Sequence, residues 1–187
     1  MSLGSRILIL CALTPLLASA APAVDLFTGY SLGMVQPDRA TSRAKLNGWN
    51  TSATVYPFSG FGYRLGLTAD VAGVYGAING AAAPSNAEQY SYMAGPQFRV
   101  IRTKRFETSF KALAGGAHAH TLGDSTVKDT SFAALIASNF DINLNRRVAF
   151  RMSPGMFLTR FGHGETQKNF RMSAGLVFRL GGGGESK

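Results

Sequence analysis

The sequence predicts an all-β fold, an eight-stranded antiparallel up-and-down transmembrane β-barrel. Apolar and polar residues alternate in eight segments, and no helical periodicity is sustained along the chain. Short and longer polar connections between these segments also alternate, which is typical of barrels that cross a membrane. The polar face of each segment combines charged residues with small ones, which suits the narrow interior of an eight-stranded barrel.

Residues 1–20 are predicted to be a secretory signal peptide. Arg6 supplies the positive region, "ILILCALTPLLA" is a short apolar run, and "ASA" at Ala18–Ala20 is a small-residue cleavage site. An N-terminal membrane anchor is the alternative, but the run is shorter than the roughly 18–20 residues of a spanning helix. The only cysteine, Cys11, lies in this segment, so no disulfide is expected in the exported chain.

The charge balance is strongly basic. Without Arg6, 18 basic and 10 acidic residues remain, a formal charge of +8. Such an excess is typical of proteins that meet nucleic acid or an anionic surface, and export excludes nucleic acid as the expected partner. Arg39, Arg43 and Lys45 in the first long connection are predicted to meet phosphates of outer-membrane lipids, including lipopolysaccharide, the alternative being a solvated loop.

The first four strands follow from alternation between turn-rich stretches. Val24–Met34 places Leu, Thr, Tyr, Leu and Met on one face. Gly48–Tyr56 does the same with Trp, Thr, Ala and Val. Tyr63–Val74 sets Tyr, Leu, Leu, Ala and Val against Arg, Gly, Thr and Asp. Gln89–Ile101 sets Tyr, Ala, Phe and Val against Gly, Gln and Arg.

The last four strands follow from the same pattern. Phe106–Ala117 sets Phe and Ala against Glu, Ser, Lys and Gly. Thr130–Asp141 sets Phe, Ala and Ile against Ser, Ala, Asn and Asp. Val148–Arg160 sets Phe, Met and Leu against Arg, Ser and Gly. Asn169–Gly181 places six apolar residues on one face and two arginines with small residues on the other.

Two prolines interrupt this pattern, Pro96 in "AGPQF" and Pro154 in "MSPGMF". Proline cannot donate a ladder hydrogen bond and is usually excluded from paired strands. Each lies beside a glycine, where a local β-bulge would accommodate it, and both prolines stand as unexplained exceptions to the pattern.

The connections define the two ends of the barrel. The short ones are "PFSGFG", "RTKR" and "NLNRR". The longer ones are Val35–Asn47, Gly76–Glu88, His118–Asp129 and Gly162–Lys168. Short turns are expected in the periplasm and long loops outside the cell. The domain organisation is thus a signal peptide at 1–20, a barrel at 21–181 and a flexible tail at 182–187.

The apolar face is predicted to meet lipid. It carries almost no charge, and a slip of one residue in the last strand would expose both Arg171 and Arg179 to lipid. Arginine facing lipid at mid-depth costs about 2–4 kcal/mol. The alternative is a soluble carrier barrel with the apolar face inward.

Two sets of candidate site residues follow. Charges in a narrow interior must pair, because an isolated buried charge is too costly, so the inward charges are predicted to form a salt-bridge network; a gate or narrow ion path is the alternative. The predicted lumen charges are Asp25, Arg64, Asp70, Arg99, Glu107, Lys111, Asp141, Arg151, Arg171 and Arg179.

Aromatic side chains at strand ends are predicted to lie at the two membrane interfaces. These are Trp49, Tyr56, Tyr63, Tyr92, Phe106, Phe132, Phe150, Phe170 and Phe178.

The sequence favours neither a cofactor nor an enzyme. His118 and His120 in "HAH" lie on one face of an extended segment and are the best metal candidates, but a pair alone is weak and no metal is expected. Hydrolysis of the lipase type needs a serine, a histidine base and an acidic orienter. The three histidines all lie near predicted loops, so no catalytic residue is assigned.

The segments "VDLFTGYSLGMV" and "FRMSAGLVFRLG" resemble the first and last strands of the outer-membrane β-barrel family that includes the OmpA-like transmembrane domain. The resemblance spans about Val24 to Gly181. It implies an eight-stranded barrel in the outer membrane whose last strand the barrel-assembly machinery reads. It carries over no catalytic residue, and no tethering to peptidoglycan is implied.

The expected function is therefore that of a small, monomeric outer-membrane barrel with a structural or surface-interaction role, in adhesion or envelope stability. A narrow pore for ions or small solutes is the alternative. A membrane-embedded lipid-modifying enzyme and a soluble carrier rank below both.

Overall fold

The structure is a computed structural model, and it describes residues 23–35, 44–60, 63–79, 84–122, 127–160 and 167–180. These residues form eight strands. They are β1 (Ala23–Val35), β2 (Ala44–Gly60), β3 (Tyr63–Asn79), β4 (Pro84–Arg102), β5 (Phe106–Leu122), β6 (Val127–Asn143), β7 (Val148–Thr159) and β8 (Gln167–Leu180). The predicted signal peptide, the tail at 182–187, Arg39, Arg43 and His163 lie outside the described residues.

The strands form one closed barrel in which each strand pairs with its sequence neighbours. Antiparallel pairing of β1 with β8 closes it, with Asp25 opposite Arg179 and Gly33 opposite Arg171. The predicted fold class is confirmed. Among the residues that the structure places, no helix has the length and hydropathy needed to cross a membrane.

Several strands are longer than predicted. β2, β3, β5 and β6 each have 17 residues and β4 has 19. A transmembrane β-strand needs only about 9–11 residues. Most of the extra residues lie at the end where β1 joins β2, so much of the predicted loops Gly76–Glu88 and His118–Asp129 is strand instead. We call this end the long-loop end and the opposite one the short-turn end.

The alternation of faces follows the prediction. Leu67, Phe132 and Ile136 are all more than 60 % exposed on the outer surface of the isolated barrel. Charged and hydroxyl side chains, such as Arg151 and Thr68, are buried inside. A closed barrel with an apolar outer wall and a charged lumen is the arrangement of transmembrane barrels, because lipid tolerates neither an open sheet edge nor an exposed charge.

No β-bulge forms at Pro96 or Pro154. Pro96 stays in register opposite Leu67, and Pro154 lies opposite Met172. Neither proline has a partner in the ladder on its other side, to β5 and β6 respectively, but the register continues unchanged across each gap. The register shifts occur instead between Val55 and Phe58 and between Arg99 and Ile101.

Two connections at the short-turn end have defined hydrogen bonds. In the turn between β4 and β5, the Thr103 backbone N–H donates to the Phe106 carbonyl at 2.7 Å. In the turn between β6 and β7, the Asn145 carboxamide oxygen accepts from the N–H groups of Arg147 and Val148, each at 2.8 Å. Asparagine side chains stabilise tight turns in this way, which explains the "NLNRR" connection.

Candidate functional site

The lumen near the short-turn end holds a six-residue cluster of three carboxylates and three guanidinium groups. Its members are Asp25, Glu107, Asp141, Arg99, Arg151 and Arg179. Each lies within the first or last few residues of its strand at this end, which brings six strands together at one level. Opposite charges are present in equal number, so the cluster is electrically balanced.

Arg99 and Arg179 connect the carboxylates of this cluster across the barrel. Arg99 donates to Asp25 at 2.7 Å and its Nε pairs with Glu107. Arg179 lies 3.4 Å from Glu107 and 3.3 Å from Asp141. All but the Arg99–Glu107 pair join strands that are not neighbours in the sheet, so the cluster spans the width of the lumen.

Above this cluster lies a neutral polar layer around Gln97. The Gln97 amide nitrogen donates to the Tyr56 hydroxyl at 2.6 Å and lies 3.3 Å from Ser109 Oγ. Its carbonyl oxygen accepts from Thr68 at 3.1 Å and from Asn139 at 3.2 Å. Gln97 is fully buried, and its four partners lie on four other strands. The layer therefore fills the middle of the lumen with hydrogen-bonded side chains.

A second ion cluster, the Asp70 cluster, lies beyond this layer. Asp70 accepts from Lys111 Nζ at 3.0 Å and from Arg171 Nη2 at 2.5 Å. Asn50 Nδ2 donates to the same carboxylate at 3.1 Å. All three charged side chains are 6 % exposed or less. Two cations share one carboxylate, so this cluster carries one excess positive charge.

Apolar side chains complete the filling toward the long-loop end. Phe157, Leu113 and Leu135 point inward and form a buried cluster with Met93 and small alanines. Leu46, Val74 and Ala87 form a second buried cluster. Arg171 lies over the Phe157 ring at 5.9 Å from its centroid. A cavity of about 20 Å³, lined by Arg171, Ser91 and Gln89 among others, has room for about one water molecule.

All ten predicted lumen charges occupy inward positions. Nine of them belong to the two clusters. The tenth, Arg64, is half-buried near the start of β3 and lies opposite Arg99 in the ladder. The sequence did not reveal the inward apolar residues Phe157, Leu113 and Leu135. Their only sequence mark is that each adjoins another apolar residue, where strict alternation would place a polar one.

Tyr56 is a correction to the predicted interface aromatics. Its side chain is 5 % exposed and lies in the lumen, where the Arg99 guanidinium sits 4.1 Å from the ring centroid. Strand alternation explains this position, because Tyr56 follows inward-facing Thr54 by two residues. The ring lies against Gly66, where an added Cβ would stand 2.8 Å from it, so glycine makes room for the ring.

The other predicted interface residues remain candidates for that role. Six are exposed on the outer wall, namely Trp49, Tyr92, Phe106, Phe132, Phe170 and Phe178. Phe150 is half-buried on the same wall, and the side chain of Tyr63 lies outside the described set. Trp49 and Tyr92 lie directly opposite Gly73 and Gly116, whose missing Cβ atoms let the rings lie flat across the neighbouring strand.

His118 and His120 lie within β5, not in a loop. His118 Nδ1 is 2.8 Å from Thr130 Oγ1, and His120 is opposite Lys128. Within the described part of the chain, no group of three metal-ligating side chains comes together. The described residues therefore supply no third ligand that would complete a metal site with His118 and His120.

β1 contains a match to a catalytic sequence motif that the sequence-based expectations did not include. Gly29–Gly33 reads "GYSLG", which matches the G-x-S-x-G pattern of nucleophilic serines. That chemistry places the serine on a sharp strand-to-helix turn. Here Ser31 lies within β1, is fully buried, and its hydroxyl accepts from Ser173 at 3.2 Å. The match is therefore a feature of strand composition.

The geometry of this barrel is shared with proteins of known structure. The fold is that of small outer-membrane β-barrels. Ail, the attachment invasion locus protein of Yersinia pestis, superimposes with a TM-score of 0.60 at 15 % identity, over 85 % of this chain and 99 % of that one. Neisserial surface protein A gives 0.59 at 15 % identity, over 85 % and 97 %.

OprG of Pseudomonas aeruginosa gives a TM-score of 0.52 at 12 % identity, over 87 % of this chain and 97 % of that one. No protein-family model matches the sequence, and no curated protein sequence matches it. At these identities the likeness establishes the fold alone. The role of the chain has to be inferred from its own residues.

Proposed function

We propose that this chain is a monomeric, non-conducting outer-membrane barrel that interacts with partners at its long-loop end. The observation that carries this proposal is the filled lumen. The six-residue cluster, the Gln97 layer and the Asp70 cluster are stacked along the barrel axis. An ion or solute would have to displace paired charges that are buried in a narrow interior.

The long-loop end supports a role in surface interaction. Strands β2 to β6 are longer than a membrane requires, so they carry the barrel wall beyond the outer leaflet. Exposed Lys45 and Lys168 lie at this end and fit phosphates of lipopolysaccharide. Ail is named for attachment and invasion and has been crystallised with a heparin analogue, sucrose octasulfate. We propose a role in attachment for this chain as well and assign it no particular ligand.

Biogenesis belongs to the same proposal. The barrel-assembly machinery is the expected partner during insertion, because β8 closes the barrel against β1 and ends on the outward-facing residues Phe178 and Leu180. No enzymatic activity is proposed. The alternative of a lipid-modifying enzyme predicts that substituting His118, His120 or His163 abolishes a lipid modification in the membrane fraction.

Conductance in planar bilayers is the experiment that decides between a plug and a pore. The purified protein is first checked by gel mobility in SDS with and without boiling, and the unboiled form should migrate faster if the barrel is folded. We expect no conductance steps, whereas a general porin inserted under the same conditions gives them. Regular conductance steps from the folded protein would mean that the lumen is a narrow pore and not a plug.

Attachment is tested separately on cells. Bacteria that express the chain should adhere to epithelial cells or immobilised sulfated polysaccharide more than bacteria with an empty vector. A chain whose segments 36–43 and 161–166 are replaced by Gly-Ser linkers of equal length should lose this gain while retaining heat-modifiable mobility. Equal adhesion of all three strains would leave a structural role in the envelope.

A further inference from the structure

The short-turn end of the barrel carries a group of exposed cations outside the six-residue cluster. We call it the cationic rim, and its members are Arg102, Lys104, Arg105, Arg146 and Arg147. Three come from the end of β4 and its turn into β5, and two from the turn between β6 and β7. All five side chains are exposed.

The two turns are tied together through Asn143. Its backbone N–H donates to the Arg105 carbonyl at 2.9 Å. Its side-chain nitrogen lies 3.3 Å from the carbonyl oxygen of Thr103 and 3.2 Å from that of Lys104. These bonds hold the two turns side by side, so the cations of the rim are presented together on one segment of the barrel edge.

The carboxylates near this end do not neutralise the rim. Asp25, Glu107 and Asp141 are buried and engaged in the six-residue cluster. Of these, Glu107 also approaches Arg102 at 3.7 Å. Within the described residues, no carboxylate lies within ion-pair distance of Lys104, Arg105, Arg146 or Arg147. The rim therefore presents net positive charge to its surroundings.

An apolar wall adjoins the rim. Leu144, in the same turn as Arg146, is 61 % exposed. Above the turns, Phe106 and Phe140 stack on the outer surface with ring centroids 6.3 Å apart. Aromatic rings of this kind lie at headgroup depth in membrane barrels. The rim cations thus lie where the lipid-facing wall meets the aqueous phase.

We propose that the cationic rim binds the headgroups of anionic phospholipids, such as phosphatidylglycerol, in the leaflet at the short-turn end. Arginine and lysine bind phosphate through charge-assisted hydrogen bonds, and several of them together concentrate anionic lipid. Continuity with the apolar wall favours a lipid over an acidic soluble protein, because the acyl chains of a bound lipid would pack on Phe106 and Phe140. This site is distinct from the long-loop end and does not depend on attachment.

Lipid preference in reconstituted bilayers tests the proposal. The folded chain is placed in phosphatidylcholine bilayers that contain a trace of spin-labelled phosphatidylglycerol or spin-labelled phosphatidylcholine. The fraction of motionally restricted label then gives the preference of the protein for each headgroup. We expect a preference for phosphatidylglycerol of about threefold or more at low salt, which falls toward one in 0.5 M NaCl because salt screens exposed charges.

A matched pair of variants locates the site. Lys104→Gln and Arg147→Gln together remove two cations of the rim, one from each turn, and should reduce the preference by at least half. The double variant Lys45→Gln, Lys168→Gln, which removes exposed cations at the opposite end, should reduce it much less. Both variants are accepted only if unboiled samples keep their fast mobility in SDS.

Three results would overturn the proposal. The first is no preference in the wild-type protein. The second is an equal loss in both variants, which would assign the effect to overall charge. The third is loss of the preference on adding inorganic phosphate beyond that caused by chloride at the same ionic strength, which would indicate a site for free anions. If the lipid preference is absent and the rim binds a periplasmic protein instead, the proposal is overturned as in the first result.

Discussion

Arg151 and Asp141 form a two-point ion pair inside the barrel. Arg151 Nε lies 2.7 Å from Asp141 Oδ1, and Nη2 lies 2.8 Å from Oδ2. The two residues are opposite each other on neighbouring strands, and both are almost completely buried. The pair contacts Asp25 on one side and Arg179 on the other, so it anchors the six-residue cluster.

Removal of one partner of this pair should be strongly destabilising. In Asp141→Ala, Arg151 keeps only Asp25 at 3.8 Å, and a buried guanidinium without adequate partners costs about 3–5 kcal/mol. We expect the free energy of unfolding to fall by that amount in urea titrations in lipid vesicles, followed by the fluorescence of Trp49.

A double variant separates charge imbalance from loss of packing. Asp141→Leu combined with Arg151→Met should recover a large part of the loss, because replacing a buried ion pair by apolar residues is often neutral. Met152→Leu, on the outer wall beside the pair, serves as the control and should change little. Equal losses in the single and double variants would mean that the two charges do not act as a pair.

The position of Tyr56 in the lumen gives a second prediction. Tyr56→Phe removes the hydroxyl that accepts from Gln97 at 2.6 Å and leaves a buried donor with weaker partners. We expect a loss of about 1–2 kcal/mol in unfolding free energy. Tyr92→Phe, on the outer wall, should change it by less than about 0.5 kcal/mol. A larger loss in Tyr92→Phe than in Tyr56→Phe would mean that Tyr56 lies at the membrane interface and not in the lumen.

The sequence was sufficient to predict the faces of the strands. Because side chains alternate strictly along a strand, the positions of Arg171 and Arg179 in β8 fixed which side of that strand is inward once lipid was assumed outside. The closed barrel followed from the requirement that no unpaired sheet edge faces hydrocarbon. Tyr56 ends the predicted strand, which suggested a membrane interface, but its spacing of two residues from inward-facing Thr54 places it in the lumen.

The ion pairs of the lumen could not be predicted in the same way. Asp70 and Arg171 are 101 residues apart and lie on strands that are not neighbours. Which side chains meet across a barrel depends on the stagger between strands, and that stagger accumulates around the circumference. The bulges shift it further, and their positions at Val55/Phe58 and Arg99/Ile101 were not predicted.

The Asp70 cluster predicts unequal effects of two single substitutions. Asp70→Asn leaves Lys111 and Arg171 buried together without a carboxylate, so we expect a loss of more than about 3 kcal/mol in unfolding free energy. Lys111→Met removes the excess charge and leaves a balanced pair, so its cost should be clearly smaller. Urea titration of both variants checks the order. A larger loss in Lys111→Met would mean that the second cation is required to hold Asp70.

The outward apolar wall gives the last prediction. Ile136 is 61 % exposed on the isolated barrel and lies in the part of β6 that the membrane should cover. Ile136→Arg should therefore cost about 2–4 kcal/mol in lipid vesicles, because an arginine would face hydrocarbon at mid-depth. Leu144→Arg is equally exposed but lies in a short turn at the interface, so its cost should be no more than about 1 kcal/mol. Equal, small effects of both substitutions would mean that this wall faces water, as it would in a soluble barrel.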